Sequence, residues 1–195
     1  VGSALQTDRA LLELCPGGAL LLAPTGHIVS ANKAAQHLLH NHPALFEKNG
    51  HIIIRRVHEA RLFAEALAET CAKRCPSLVI LRKREGAPIL AISLSPAPDE
   101  HHTLAVIADL YAKLAIEADD LRALFGFTLA EARIATALAN GATATTMATD
   151  LGISITTVRS HLRTLMQKSG AASQSRLIAV LLRAESLRAG RQTLP

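Results

Sequence analysis

From Ser154 to Gly170 the polar side chains are cations, hydroxyls, amides or an imidazole, and no carboxylate interrupts them. At about 100° per residue, Ile155, Val158, Leu162, Leu165 and Met166 fall within one arc of a helix, predicting the buried side. The opposite arc is centred on Thr156, Ser160, Arg163 and Gln167. Arg159 flanks it on one side, and Thr157, His161 and Thr164 flank it on the other. An ordinary surface helix mixes charges of both signs, whereas this one offers only donors and hydroxyls. An arginine can give two parallel N–H bonds to a guanine edge, and serine or threonine can meet a base or a phosphate. The chemistry that fits is recognition of double-stranded DNA through its major groove. The weaker alternative for His161 is a satisfied surface imidazole.

The elements that must hold this face are marked by their punctuation. Thr128-Leu129-Ala130-Glu131 has the capping-box pattern, and Gly141 supplies a left-handed stop. Thr143 can cap a second, short helix through Asp150, which Gly152 ends. Ser154 caps the third helix, running to Lys168, and a fourth covers 174–188 with Leu177, Val180 and Leu181 at core spacing. Two short helices joined by Leu151-Gly152-Ile153 are the sequence form of a helix-turn-helix. Within the linker 111–120, Leu114 and the Lys113/Glu117 spacing predict a helix.

Charge follows the same division. Residues 1–120 hold 12 Lys/Arg against 13 Asp/Glu, and residues 121–195 hold 9 against Glu131, Asp150 and Glu185 alone. The positive excess therefore lies in the part expected to approach phosphate. Arg133 and Arg176 are expected to support packing or surface ion pairs. Three cysteines, Cys15, Cys71 and Cys75, fit no disulfide framework and suit a reducing, cytoplasmic setting. The four-residue spacing of Cys71 and Cys75 would put both thiols on one side of a helix, where metal or redox chemistry competes with simple packing. No apolar run approaches a membrane span, and no basic-then-apolar leader opens the chain, although Val1 in place of Met suggests residues upstream. Nucleophile–base spacings, paired carboxylates and Gly-rich phosphate loops are missing, so an enzyme is not expected.

The first two thirds read as α/β. A helix is predicted over 8–14, then strands over 19–23 and 27–30 around the turn Pro24-Thr25-Gly26, then a helix over 33–39 capped by Asn32. Ile52-Ile53-Ile54 reads as a strand within 50–56. A helix over 58–73 has Leu62, Ala66 and Leu67 on one side. Strands over 78–82, 89–94 and 103–110 close the unit. The order β-β-α-α-β-β-β suits an antiparallel sheet with helices on one face, giving an α+β chain whose last part is all-α.

The segment Gly26-His27-Ile28-Val29-Ser30-Ala31-Asn32-Lys33-Ala34-Ala35 resembles that of a PAS domain, with Thr25 where an acidic residue is more usual. The resemblance implies a module that dimerises and can enclose a small ligand, though no ligand or cofactor is identified by it. Members that bind haem place a histidine near His58, and the His40/His42 pair could hold a metal; solvated or hydrogen-bonded histidines in loops are the stronger reading of both.

Residues 127–180 resemble the LuxR-type helix-turn-helix. The shared pattern is Leu124-Phe125, then Thr128-x-x-Glu131-Ala132-Arg133, Ala139-x-Gly141-x-Thr143, and Leu151-Gly152-Ile153-Ser154. It continues with Thr157-Val158-Arg159-x-His161-Leu162 and Lys168-x-Gly170. The resemblance implies that Arg159, Ser160 and Arg163 face bases, and that Thr143, Thr157, His161 and Lys168 lie near phosphates or frame the helix. Ala144-Thr145-Thr146 stands where the family often has Asn-Lys-Glu, which removes a cation from the phosphate side. The organisation expected is a PAS-like sensor and dimerisation domain over 1–112, a helical linker over 113–120 and a four-helix DNA-binding domain over 121–195. Its function would be sequence-specific regulation of transcription as a homodimer on DNA, without a membrane. The alternatives are a haem or metal sensor with incidental DNA affinity, a small-molecule-binding enzyme, or a sigma-like promoter-recognition subunit. The last would need an aromatic, acidic polymerase-binding region. The missing Trp also argues against an acyl-homoserine-lactone pocket, and the lack of an acidic cluster after the first strand argues against a phosphoreceiver.

Overall fold

The computed structural model describes residues 10–15, 17–83, 86–99, 101–114 and 116–189. The chain divides into two compact units, one running to Ala112 and the other covering Lys113–Arg188. Each has its own apolar core.

The first unit runs β1 (Gly18–Leu22), β2 (Ile28–Ala31), α1 (Lys33–Asn41), β3 (Leu45–Lys48) and β4 (His51–Ile54). It continues with α2 (Val57–Lys73), β5 (Ser77–Arg82), β6 (Pro88–Pro96) and β7 (Thr103–Asp109). Five strands pair antiparallel in the order β2-β1-β7-β6-β5, and β3 with β4 forms a separate hairpin. Strand side chains alternate between faces. Leu20 and Leu22, Val79 and Leu81, Leu90, Ile92 and Leu94, and Ala105 and Ile107 point into one core with Ala35, Leu39, Phe63 and Leu67 from the helices. The unit is PAS-like. Asn32 shows why the motif carries asparagine. Its Oδ1 accepts from Ala35 N–H, capping α1, and from Ala19 N–H. Its amide group donates to the carbonyls of Leu12 and Gly17, so one buried side chain joins helix, sheet and the segment before the sheet.

Three expectations change here. The strand over Leu45–Lys48 was absent from the sequence reading. The signal for it is Asn49-Gly50, whose φ values of 52° and 74° make the hairpin turn. Helix α2 buries Glu59, Phe63, Leu67 and Thr70, so that of the side expected to face inward Leu67 is buried and Ala66 packs against the core, whereas Leu62 is 41% exposed. Cys75 does not share a helix face with Cys71, because Arg74 turns left-handed (φ 53°) and ends α2 before it. Of the helix predicted over 8–14, residues 10–13 are helical and residues 8 and 9 lie outside the described residues.

The second unit consists of α3 (Ala118–Phe125), α4 (Leu129–Ala139), α5 (Ala144–Leu151), α6 (Ile155–Ser169) and α7 (Gln174–Ala189). A short helix, α3, thus precedes the four expected. The linker over 113–120 is helical only from Ala118. Before that, its backbone is satisfied by side chains of α4 and its cap. Asn140 accepts from Leu114 N–H at 2.7 Å and donates back to the Leu114 carbonyl at 3.0 Å, and the Thr136 hydroxyl donates to the Ile116 carbonyl. With Ile116 buried in the core, the extended segment makes bonds that a helical turn would forfeit. Among the described residues, no helix is long and apolar enough to cross a membrane.

Candidate nucleic-acid interface

Capping defines each helix of the interface. Thr128 accepts from Glu131 N–H at 3.3 Å while Glu131 accepts from Thr128 N–H at 2.7 Å, completing the capping box at the start of α4. At the start of α5, Thr146 performs the glutamate's part. Thr143 accepts from Thr146 N–H, and the Thr146 hydroxyl oxygen accepts from Thr143 N–H at 2.8 Å. The Ala144-Thr145-Thr146 departure therefore keeps the cap and gives up only charge. Gly152 ends α5 in the left-handed region (φ 65°), and Ser154 caps α6 two residues later through Thr157 N–H. That three-residue break is the turn of the helix-turn-helix.

Helix α6 is seated by Val158, Leu162 and Leu165, which are buried with Met147 and Ala148 of α5 and Ile134, Ala135 and Leu138 of α4. Ile155, placed by the wheel on the same side, is 39% exposed, because it lies in the first turn at the edge of the contact. Thr143, Thr156, Thr157, Arg159, Ser160, Arg163, Gln167 and Lys168 are exposed, and His161 is half-buried. The Thr157 hydroxyl lies 2.8 Å from that of Ser154. Among the described residues, Arg159 and Arg163 have no ion-pair partner, and neither does Arg133, which leaves packing as the part of its expected role still open to it. The two α6 guanidiniums project from a helix without a single acid, so their donors are available to an outside acceptor.

Lys168 is placed differently from its companions. Its Nζ donates to Glu131 Oε2 at 2.7 Å and to the Gly126 carbonyl at 3.0 Å. The ammonium thus ties the end of α6 to the start of α4, and it frames the recognition helix. Burial pushes the Glu131 carboxyl up, but the Lys168 ammonium and the Thr128 bonds outweigh it and hold the group below its ordinary value. Neither the sequence pattern nor the wheel joins Lys168 to Glu131, because 37 residues separate them.

The candidate ligands elsewhere do not converge. His58 and His40 are exposed, and His42 Nδ1 accepts from Ala44 N–H. Cys71 Sγ lies 3.3 Å from the Thr103 hydroxyl. Among the described residues, no group of three or more His, Cys, Asp or Glu side chains could hold a metal ion.

Residues 127–181 match the family described as bacterial regulatory proteins, luxR family. The second unit is a LuxR-type DNA-binding domain. With that domain, the chain is a sequence-specific DNA-binding transcription regulator. No curated protein matches the chain. Among solved structures it is similar to a phage VqmA–DPO complex, with 17% identity, 95% of this chain and 91% of that chain covered, and a TM-score of 0.44. It is also similar to the Vibrio cholerae VqmA dimer in the absence of target DNA, with 22% identity, 91% and 86% covered, and a TM-score of 0.39. An RNA-binding light-oxygen-voltage receptor follows with 14% identity, 90% and 52% covered, and a TM-score of 0.34.

Proposed function

We propose that this regulator acts in the cytoplasm as a homodimer on double-stranded DNA, with the domain over 121–195 reading the operator. The domain over 1–112 would sense a small molecule and hold the dimer, joined through residues 113–120. The observation that carries the reading is the exposed, acid-free face of α6, seated on a helix-turn-helix. On that face Arg159, Ser160 and Arg163 read base edges, with Thr156 and Gln167 beside them. Thr143, Thr157 and His161 approach phosphates. Lys168 supports the helix through Glu131, and its remaining N–H is the one available to DNA.

A single recognition helix covers too few base pairs to select one operator within a genome, and a two-fold pair of them reads half-sites about 34–36 Å apart. Selection of bound duplexes from a random pool, followed by sedimentation of the complex, tests this. The expected result is an inverted repeat with half-site centres one helical turn apart, occupied by two chains. A monomer on a non-repeated site overturns it.

A further inference from the structure

The first turn of α6 carries an apolar side chain that the core does not take up. Val158, Leu162 and Leu165 are buried and Met166 is half-buried, whereas Ile155 is 39% exposed. Helix stability does not account for an isoleucine there. β-Branched side chains lose rotamer freedom in a helix, and the first turn favours an acid, which the positive end of the helix dipole stabilises. α6 has no acid in that turn. Ser154 caps the helix whatever side chain follows it, because the bond runs from the backbone N–H of Thr157.

At about 100° per residue, Ile155 lies about 60° around the helix from Val158 and about 40° from Arg159. It therefore stands where the buried side meets the recognition face, one turn ahead of Arg159. The other flank of the same turn is polar, with the Ser154 and Thr157 hydroxyls 2.8 Å apart, and the exposed Thr156 lies between the two flanks. The recognition helix of a helix-turn-helix sets its N-terminal residues against base edges. Among the groups that bases present along the major groove, the C5-methyl of thymine is the apolar one. A helical turn rises about 5.4 Å and successive base pairs about 3.4 Å, so groups one turn apart meet neighbouring or next-neighbouring pairs.

We infer that Ile155 is a specificity-determining residue, which packs on the C5-methyl of a thymine within two base pairs of the base that Arg159 reads. The inference rests on the reading of α6 as the element that reads the operator, and it deepens that reading. Arg159, Ser160 and Arg163 select by hydrogen bonds, and Ile155 adds an apolar contact at the leading end of the same face. The other three bases lack the methyl group, so the contact distinguishes thymine without any polar group. One methyl removed from water is worth roughly fourfold in binding.

Duplexes enriched by the full chain from a random pool supply the probe. Each thymine of a half-site is replaced in turn by uracil, which removes the methyl group and keeps every hydrogen-bonding group of the base. The expected result is a weakening of about fourfold at one position, within two base pairs of the position at which Arg159→Ala loses its discrimination. Ile155→Ala is expected to bind the thymine and uracil forms of that duplex alike, whereas Ile155→Val keeps part of the preference. Each variant is compared with itself on two duplexes, so a change in its fold or overall affinity cancels. Uracil tolerated at every position overturns the inference and leaves the reading of α6 standing. A penalty that Ile155→Ala leaves intact does the same, since it then comes from the duplex or from another side chain. A pool that yields no preferred sequence overturns both.

Discussion

Helices α2 and α6 are both long and amphipathic, and both carry cations on their solvent side, yet they dispose of those cations in opposite ways. On α2, Arg61 pairs with Glu65 at 2.7 Å and Lys73 with Glu69 at 2.8 Å, each four residues apart. These bonds raise the Arg61 guanidinium above its ordinary value and hold the Glu69 carboxyl below its own. On α6, Arg159 and Arg163 have no acid on their own helix to turn to. A cation matched within its own helix makes a stable solvated face. A helix stripped of acids gives up that local stabilisation and leaves its donors for something outside the chain. The difference between the two helices is thus a difference between surface and interface, and it can be tested by removing one cation from each.

The largest effect is expected at Arg163. Arg163→Ala should cost about 1–3 kcal/mol at one base position, seen as relaxed discrimination when duplexes substituted at single positions compete for the full chain. Arg61→Ala should leave operator binding unchanged. Equal weakening on operator and random DNA would make Arg163 a phosphate contact and would narrow the contrast to one of charge alone.

Next in size are the bonds that hold α6 in place. Thr128→Ala removes the cap of α4 and should cost on the order of 1 kcal/mol, a fall in the melting temperature of roughly 4–8 °C for a domain of this size. The Lys168–Glu131 tether adds a pH dependence with a definite sign. The folded Glu131 carboxyl lies below its ordinary 4.5, so its ionised form favours the folded state. That contribution is complete above about pH 4.5 and disappears as the pH falls through the lower, folded value. Lys168→Met should therefore melt lower than the parent at neutral pH, and the gap should narrow as the pH falls below 4.5. A gap that stays constant down to pH 3 would show that the tether is not electrostatic.

What could be read from the sequence separates along the same line. Capping is local, three residues from hydroxyl to amide, so Thr128, Thr143 and Ser154 announced the starts of α4, α5 and α6. The apolar period of α6 is equally local, and it identified Val158, Leu162 and Leu165 as the buried side. Contacts across long separations left no such trace. Lys168 and Glu131 are far apart in the chain, and each has a sufficient local explanation, as a basic helix end and as a capping residue. The linker misled for a related reason. Lys113 and Glu117 have helical spacing, but Asn140 and Thr136, 26 and 20 residues beyond the groups they bond, satisfy the backbone of Leu114 and Ile116 instead. On α2 the apolar residues Leu62, Ala66 and Leu67 suggested one face; Leu67 is buried and Ala66 packs against the core, but Leu62 is exposed and the buried side turns a carboxylate, Glu59, inward, where hydrophobicity alone would not place it.

The smallest effect completes the contrast between the helices. Removing the Arg61–Glu65 pair should barely be felt, because both groups are largely exposed, with side chains 78% and 54% accessible. Exposed pairs at this spacing contribute little, and salt screens them. A double-mutant cycle with Arg61→Ala and Glu65→Ala, followed by urea melting at low and high salt, isolates the coupling from each side chain's own helix propensity. The expected coupling is small and shrinks as salt rises. The same cycle should have no bearing on DNA, since each cation is balanced by its neighbour and presents no net charge to a phosphate. A large coupling that salt does not weaken, or operator binding that follows the Arg61 substitution, would mean that α2 is not a merely solvated face. The distinction between paired and unpaired cations would then have to be replaced by one that rests on position alone.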